Sequence, residues 1–265
     1  MKDRIAGSSL LPVCRDTLYG NWYFLLGKER RHPHWQDADS WSNFSGSTKM
    51  LKDGSYERPE ETAAREAWEE TAAVCKLGLK SNTLPIQNYN ELLRNLLDGN
   101  YIMKIIFNEG NGVKYVTFVC EVPWDPSLIT RFSHLIKLLT QIFPHNRATT
   151  ETERFSNTGL RATFNERRHP SIYVKTGNCD RSFTEKAALN LFGVSKLTTA
   201  LRREGLLIDA FGKKEYLRKS FIKRLAVILE QLNFLNHTQS NKIHETPIIV
   251  NKYIKLEKTI LPSAQ

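Results

Sequence analysis

The sequence predicts a mixed α/β (α+β) domain, and three observations carry the prediction. Strand-like apolar runs alternate with a few helical ones along most of the chain. YIMKIIF (101–107) and VKYVTFVCEV (113–122) are joined by NEGNG, a strong turn composition, and read as a hairpin. EYLRKSFIKRLAVILEQLNFL (215–235) places Leu217, Phe221, Leu225, Ile228 and Leu232 at spacings of three and four, which predicts an amphipathic helix.

The other elements follow in order. Residues 5–13 and 20–27 read as strands, with a turn over Asp16 to Gly20. A polar loop with Gly, Ser and Pro punctuation comes next, from Glu29 to Ser55. Pro59 suits a first helical turn, where its missing N–H costs nothing. Glu60 and Glu61 complement the positive end of that helix. Ala63, Ala64, Ala67 and Trp68 continue it to an end near Thr71 to Ala73. Residues 89–98 read as a short helix and 127–143 as a longer one. The polar stretch 144–181 reads as an insertion. A strand over 183–192 and a short helix over 195–204 precede the amphipathic helix. The expected division is one domain over 1–237 and a loosely ordered tail over 238–265.

Bulk composition narrows the classes. The 265 residues fit one large domain or one domain with additions. No apolar run is long enough to cross a membrane, and MKDRIAGSSLLPVC carries no long apolar leader segment. Cys14, Cys75, Cys120 and Cys179 are widely spaced, which suits buried reduced thiols better than a zinc site. A cytoplasmic protein is the expectation. The net charge of +10 favours polyanionic partners: a nucleotide, a polyphosphate, or RNA.

Against that charge, YERPEETAAREAWEETAAV (56–74) concentrates glutamates. Glu66, Glu69 and Glu70 stand at i, i+3 and i+4, so three carboxylates share one helix face. Such a face needs a compensating cation, and all-oxygen ligands select Mg²⁺ or Mn²⁺. Arg65 can pair with a carboxylate of the preceding loop, and Glu57 is the natural candidate.

The pattern E-x7-R-E-x2-E-E, Glu57 followed by Arg65-Glu66-Ala67-Trp68-Glu69-Glu70, resembles the signature box of the Nudix hydrolases, G-x5-E-x7-R-E-U-x-E-E-x-G-U with U aliphatic. FLLGKER, WSNFSGS and VKYVTFVCEVPW resemble the flanking strands and the approach to the box, and FTEKAALNLFGVSKL resembles a later strand. The likeness is specific over about 5–125 and weaker over 182–235, and 144–181 has no counterpart. Leu51 and Ala72 replace the two box glycines, which leaves Gly46 or Gly54 to serve for the first.

The resemblance implies an α/β/α sandwich with a mixed sheet, plus an insertion and a C-terminal amphipathic helix. It implies a metal-dependent pyrophosphohydrolase acting on a nucleoside diphosphate linked to another group. Glu69 and Glu70 would be the main metal ligands, and Glu66 a further ligand or the base that deprotonates water. Arg65, paired with Glu57, would hold the carboxylates in register. Glu121, Glu166 and Glu185 are candidates for an additional base or ligand. Arg30, Arg31 and Lys49 are candidates for substrate contact. The basic segment RKSFIKR (218–224) could track a phosphate backbone, and Tyr23, Trp35 and Trp41 could stack on a base. Capped RNA and free nucleotide derivatives are both expected substrate classes. A catalytically weak binding module is the alternative.

Overall fold

A computed structural model describes residues 4–30, 37–72, 74–75, 89–142, 185–209, 211–237 and 248–250. Its strands are β1 (Arg4–Arg15), β2 (Trp22–Glu29), β3 (Trp41–Ser42), β4 (Phe44–Ser47), β5 (Met103–Gly110), β6 (Val113–Glu121), β7 (Lys186–Gly193), β8 (Leu206–Ile208), β9 (Lys214–Tyr216) and β10 (Ile248–Val250). Its helices are α1 (Pro59–Glu70), α2 (Tyr89–Leu97), α3 (Ser127–Ile142), α4 (Val194–Arg202) and α5 (Lys219–His237).

Eight strands form one sheet in the order β10-β5-β6-β1-β2-β3, with β4 also on β1 and β7 on β2. The sheet is mixed. β1 runs parallel to β6, while β1–β2, β5–β6 and β2–β7 are antiparallel. Period-two alternation sends successive side chains to opposite faces. Leu10, Cys14, Leu25, Val116, Phe118 and Cys120 pack under α1, α2 and α3. Leu11, Val13, Phe24, Leu26, Ile105 and Val119 pack against α4 and α5. This is the expected α/β/α sandwich. Leu217, Phe221, Leu225, Ile228 and Leu232 are all buried, as their spacing predicts.

The sheet divides near its middle. β1 pairs with β4 over Gly7 to Leu10 and with β2 only over Val13 to Arg15. Leu11 and Pro12 lie in the gap, where a residue lacking an N–H forfeits no bond to either strand. β3 and β4 fill the space between the parting strands, so WSNFSGS is built into the sheet and is not loop. This segment passes directly under the acidic end of α1.

Two further expectations are corrected. The final helix begins at Lys219 and not at 215, because Lys214–Tyr216 pairs with Leu206–Ile208 as a hairpin. The strand expected at 183–192 is displaced to Lys186–Gly193. Within 238–265 the described residues are Ile248–Val250, which pair with β5 as a parallel strand. Cys14, Cys75 and Cys120 are buried and free, and burial raises the pKa of each thiol. Among the described residues no helix is long and apolar enough to cross a membrane. The stretch 144–181, expected as an insertion, lies outside the described residues with Glu166 and Cys179, as do Arg31, His32, His34 and Trp35.

Candidate functional site

α1 begins at Pro59, preceded by Arg58, whose backbone N–H donates to Glu61 at 2.8 Å. Glu60 reaches across to Lys104 of β5 at 2.8 Å. Both residues therefore serve the start and seating of the helix. Its alanines and Trp68 face the sheet. The helix ends at Glu70, Thr71 caps it, and Ala72 adopts a left-handed φ of 48°.

The opposite face is organised by Arg65, which is only 1 % exposed. Its Nε donates to Glu57 Oε1 at 2.8 Å and its Nη2 to Glu57 Oε2 at 2.9 Å, a two-pronged fork. Nη2 also donates to the Ser47 carbonyl at 3.1 Å. Nη1 meets a Glu66 oxygen and lies 3.4 Å from Glu69 Oε2. One guanidinium thus joins the loop, β4 and two helix carboxylates. Burial opposes Glu57's charge, but hydrogen bonds from Arg65, the Lys49 N–H and Thr62 outweigh it and hold its pKa below the ordinary 4.5.

β4 supplies the second support. The Ser45 N–H donates to Glu70 Oε2 at 2.7 Å. Gly46 lies so close to Glu66 that a Cβ there would stand 1.9 Å from Glu66 Oε1. Gly54, by contrast, has open space around it in an exposed turn with φ 82°. Of the two glycines the sequence left open, Gly46 is the one that meets a box carboxylate.

The third support was not legible in the sequence. Lys186, the first residue of β7, is fully buried, and its Nζ lies 3.0 Å from Glu70 Oε1. The same ammonium donates to Glu29 and, at 3.0 Å, to Ser42 Oγ. Ser42 Oγ donates in turn to Glu29 Oε1 at 2.8 Å. Burial raises the pKa of Glu70; Lys186 opposes that shift, and Glu29 and Glu66 add to it. Two buried carboxylates share one ammonium, so the second negative charge is only partly compensated. Glu29 ends β2 and Lys186 begins β7, and both are buried.

The remaining candidates are placed as follows. Glu185 is exposed, and its carbonyl accepts from the Arg30 N–H at 2.9 Å; its neighbour Lys186 is the residue in the cluster. Glu121 ends β6 level with Val13, four residues beyond Thr117, which is level with Ser9 and hence with Ser45. It is not brought to the carboxylates. Arg30 is half-buried, and its Nε has no hydrogen-bond partner among the described residues. The Lys49 side chain is exposed, while its N–H holds Glu57 at 3.0 Å.

The basic segment is partly used inside the protein. Arg218 lies 3.6 Å from Glu29 and 3.5 Å from Asp37. Arg224 pairs with Glu109 at 2.6 Å and stacks 3.4 Å over the Tyr115 ring. Lys219 and Lys223 are exposed. Trp41 is core: it is buried, packs edge-on against Phe192, and donates to Glu215 at 2.7 Å. Tyr23 is half-buried against Trp124.

Glu66, Glu69 and Glu70 offer hard oxygen donors, the type Mg²⁺ and Mn²⁺ take. Their arrangement is another matter. Arg65 and Lys186 already engage these carboxylates, and among the described residues no three His, Cys, Asp or Glu side chains converge to hold a metal ion. The cluster fits the ion in donor type and not in its present arrangement.

No protein-family model and no curated protein matches the chain. Similar solved structures include a mutT/nudix family protein from Listeria innocua, at 14 % identity over 88 % of this chain and 99 % of that chain, TM-score 0.37. Another is the Nudix domain of Shewanella oneidensis NrtR in complex with ADP ribose, at 9 % identity over 88 % and 90 %, TM-score 0.34. A third is a C. elegans Ap4A hydrolase binary complex, at 14 % identity over 46 % and 69 %, TM-score 0.25. At these TM-scores the likenesses carry no argument about what the chain does.

Proposed function

We propose that the chain is a Nudix-type pyrophosphohydrolase, cleaving a nucleoside diphosphate linked to another group with the help of Mg²⁺ or Mn²⁺. One observation carries this reading. Arg65 joins Glu57, Glu66 and Glu69 in one buried network, and Gly46 lies against Glu66. Residues matched to the box by spacing alone meet in space as one unit.

In this reading Glu66, Glu69 and Glu70 would hold the divalent ion, which when bound supplies charge neutralisation for the phosphates and more acidic water. Arg65 fixes the carboxylates through its fork to Glu57. Glu66 accepts a proton from the attacking water. The Ser45 N–H fixes the orientation of Glu70. The net charge of +10 draws a polyphosphate toward the acidic face. Free nucleotide derivatives are favoured over capped RNA, because Arg218 and Arg224 serve internal ion pairs and Trp41 is core.

The test is phosphate or nucleotide release across a substrate panel, capped RNA included, with Mg²⁺ and with Mn²⁺. Glu66→Gln, Glu69→Gln and Glu70→Gln should each lower turnover by roughly a hundredfold or more. The second reading, a catalytically weak nucleotide-binding module, is favoured by the Lys186 ammonium on Glu70. Absence of turnover on the whole panel, with nucleotide still bound, would establish it over the first.

A further inference from the structure

Lys186 is, among the described residues, the fully buried ammonium in the carboxylate cluster. Its stem crosses Gly27 of β2, where a Cβ would stand 2.9 Å from Lys186 Cδ. Phe44 Cε1 would stand equally close, so any larger residue at 27 forces the Lys186 stem or the Phe44 ring to shift. The ammonium then meets Glu29 from β2, Ser42 from β3 and Glu70 from α1. Glu29 and Glu70 are each 3 % exposed. Arg218 Nη1 lies 3.6 Å from Glu29 Oε1, the oxygen that Lys186 and Ser42 also meet. Burying two carboxylates together without a cation would be prohibitive. The cation here comes from the chain.

We propose that Lys186 is a tethered cation that stands in for a divalent ion at Glu70. The cluster is then charge-balanced without metal, and an incoming ion must compete with the ammonium for Glu70. This deepens the hydrolase reading, on which the assignment of Glu70 as a metal-holding residue rests. Its consequence is a site with weak metal affinity, whose occupancy follows the free concentration of Mn²⁺ or Mg²⁺.

The experiment measures metal response without measuring turnover. The full chain and Lys186→Met are titrated with Mn²⁺, followed by the loss of the free-ion EPR signal, and melted in EDTA and in Mn²⁺. The wild-type melting temperature should not depend on EDTA. Lys186→Met should melt lower in EDTA, recover in Mn²⁺, and bind Mn²⁺ roughly ten- to a hundredfold more tightly than wild type. The double variant Lys186→Met with Glu70→Gln, which removes charge of both signs, should regain melting temperature in EDTA without gaining Mn²⁺ affinity. Unchanged Mn²⁺ affinity in Lys186→Met overturns the proposal, as does a wild-type protein that melts lower in EDTA than in buffer without added metal. If Lys186→Met folds only in Mn²⁺, that rescue supports it. If Mn²⁺ cannot rescue a variant whose double form folds, the proposal fails. A changed metal response without phosphate release would sink the hydrolase reading alone. Release with an unchanged metal response would sink this inference alone.

Discussion

Gly46→Ala tests the geometry of the site most directly. The added methyl would stand 1.9 Å from Glu66 Oε1 and 2.2 Å from its Cδ, where ordinary contact begins at 3.4 Å. Something must therefore move by about 1.5 Å. Gly46 belongs to a strand paired with β1 through Ser8, so the backbone is held. The Glu66 carboxylate is the free end of a flexible side chain and is the part that yields. In yielding it leaves Arg65 and the position from which it would accept a proton. A displacement of about 1 Å at a reacting group can cost roughly a hundredfold in rate. The expected result is a loss of about two orders of magnitude in kcat/KM for phosphate release, with a melting temperature within a few degrees of wild type. Gly54→Ala is the control. It strains a left-handed turn by about 1–2 kcal/mol but touches nothing, so its kcat/KM should match wild type. Full activity in Gly46→Ala, or equal losses in both variants, would refute the proposed role of Glu66 beside Gly46.

Three further outcomes follow from the same contacts. Arg65→Met leaves three carboxylates without their buried cation and should destabilise by about 3–5 kcal/mol, lowering the melting temperature by roughly 10 °C; a shift under about 2 °C would contradict the network. Because Glu57's pKa is lowered on folding, its contribution is present above the unfolded 4.5 and is lost as pH falls through the folded value, so Glu57→Gln should flatten the acid limb of a stability-against-pH curve. Ala72→Gly relieves a left-handed φ of 48° worth about 1–2 kcal/mol but removes a buried methyl worth about 0.8, so chemical denaturation should show a gain of no more than about 1 kcal/mol.

The sequence by itself determined whatever depends on local period. The spacing of Glu66, Glu69 and Glu70 put them on one helical face because 3.6 residues make a turn, and no tertiary contact was needed to know it. The three-and-four spacing of Phe221, Leu225, Ile228 and Leu232 marked the buried stripe of α5 for the same reason. Even the Glu57–Arg65 pair, eight residues apart, was within reach of a short loop. The tertiary structure decided what depends on register between distant strands. Lys186 meets Glu29 across 157 residues, through the antiparallel pairing of β7 with β2, and no periodicity foretells that pairing. The choice of Gly46 over Gly54 rested on which loop segment became β4 and lay under α1. The basic run at 218–224 carries the same charge on paper throughout, yet Arg218 and Arg224 turn to acidic partners within the fold, while Lys219 and Lys223 stay exposed. Charge is a property of the chain, but whether a charge faces solvent or another part of the protein is settled only when the layers pack.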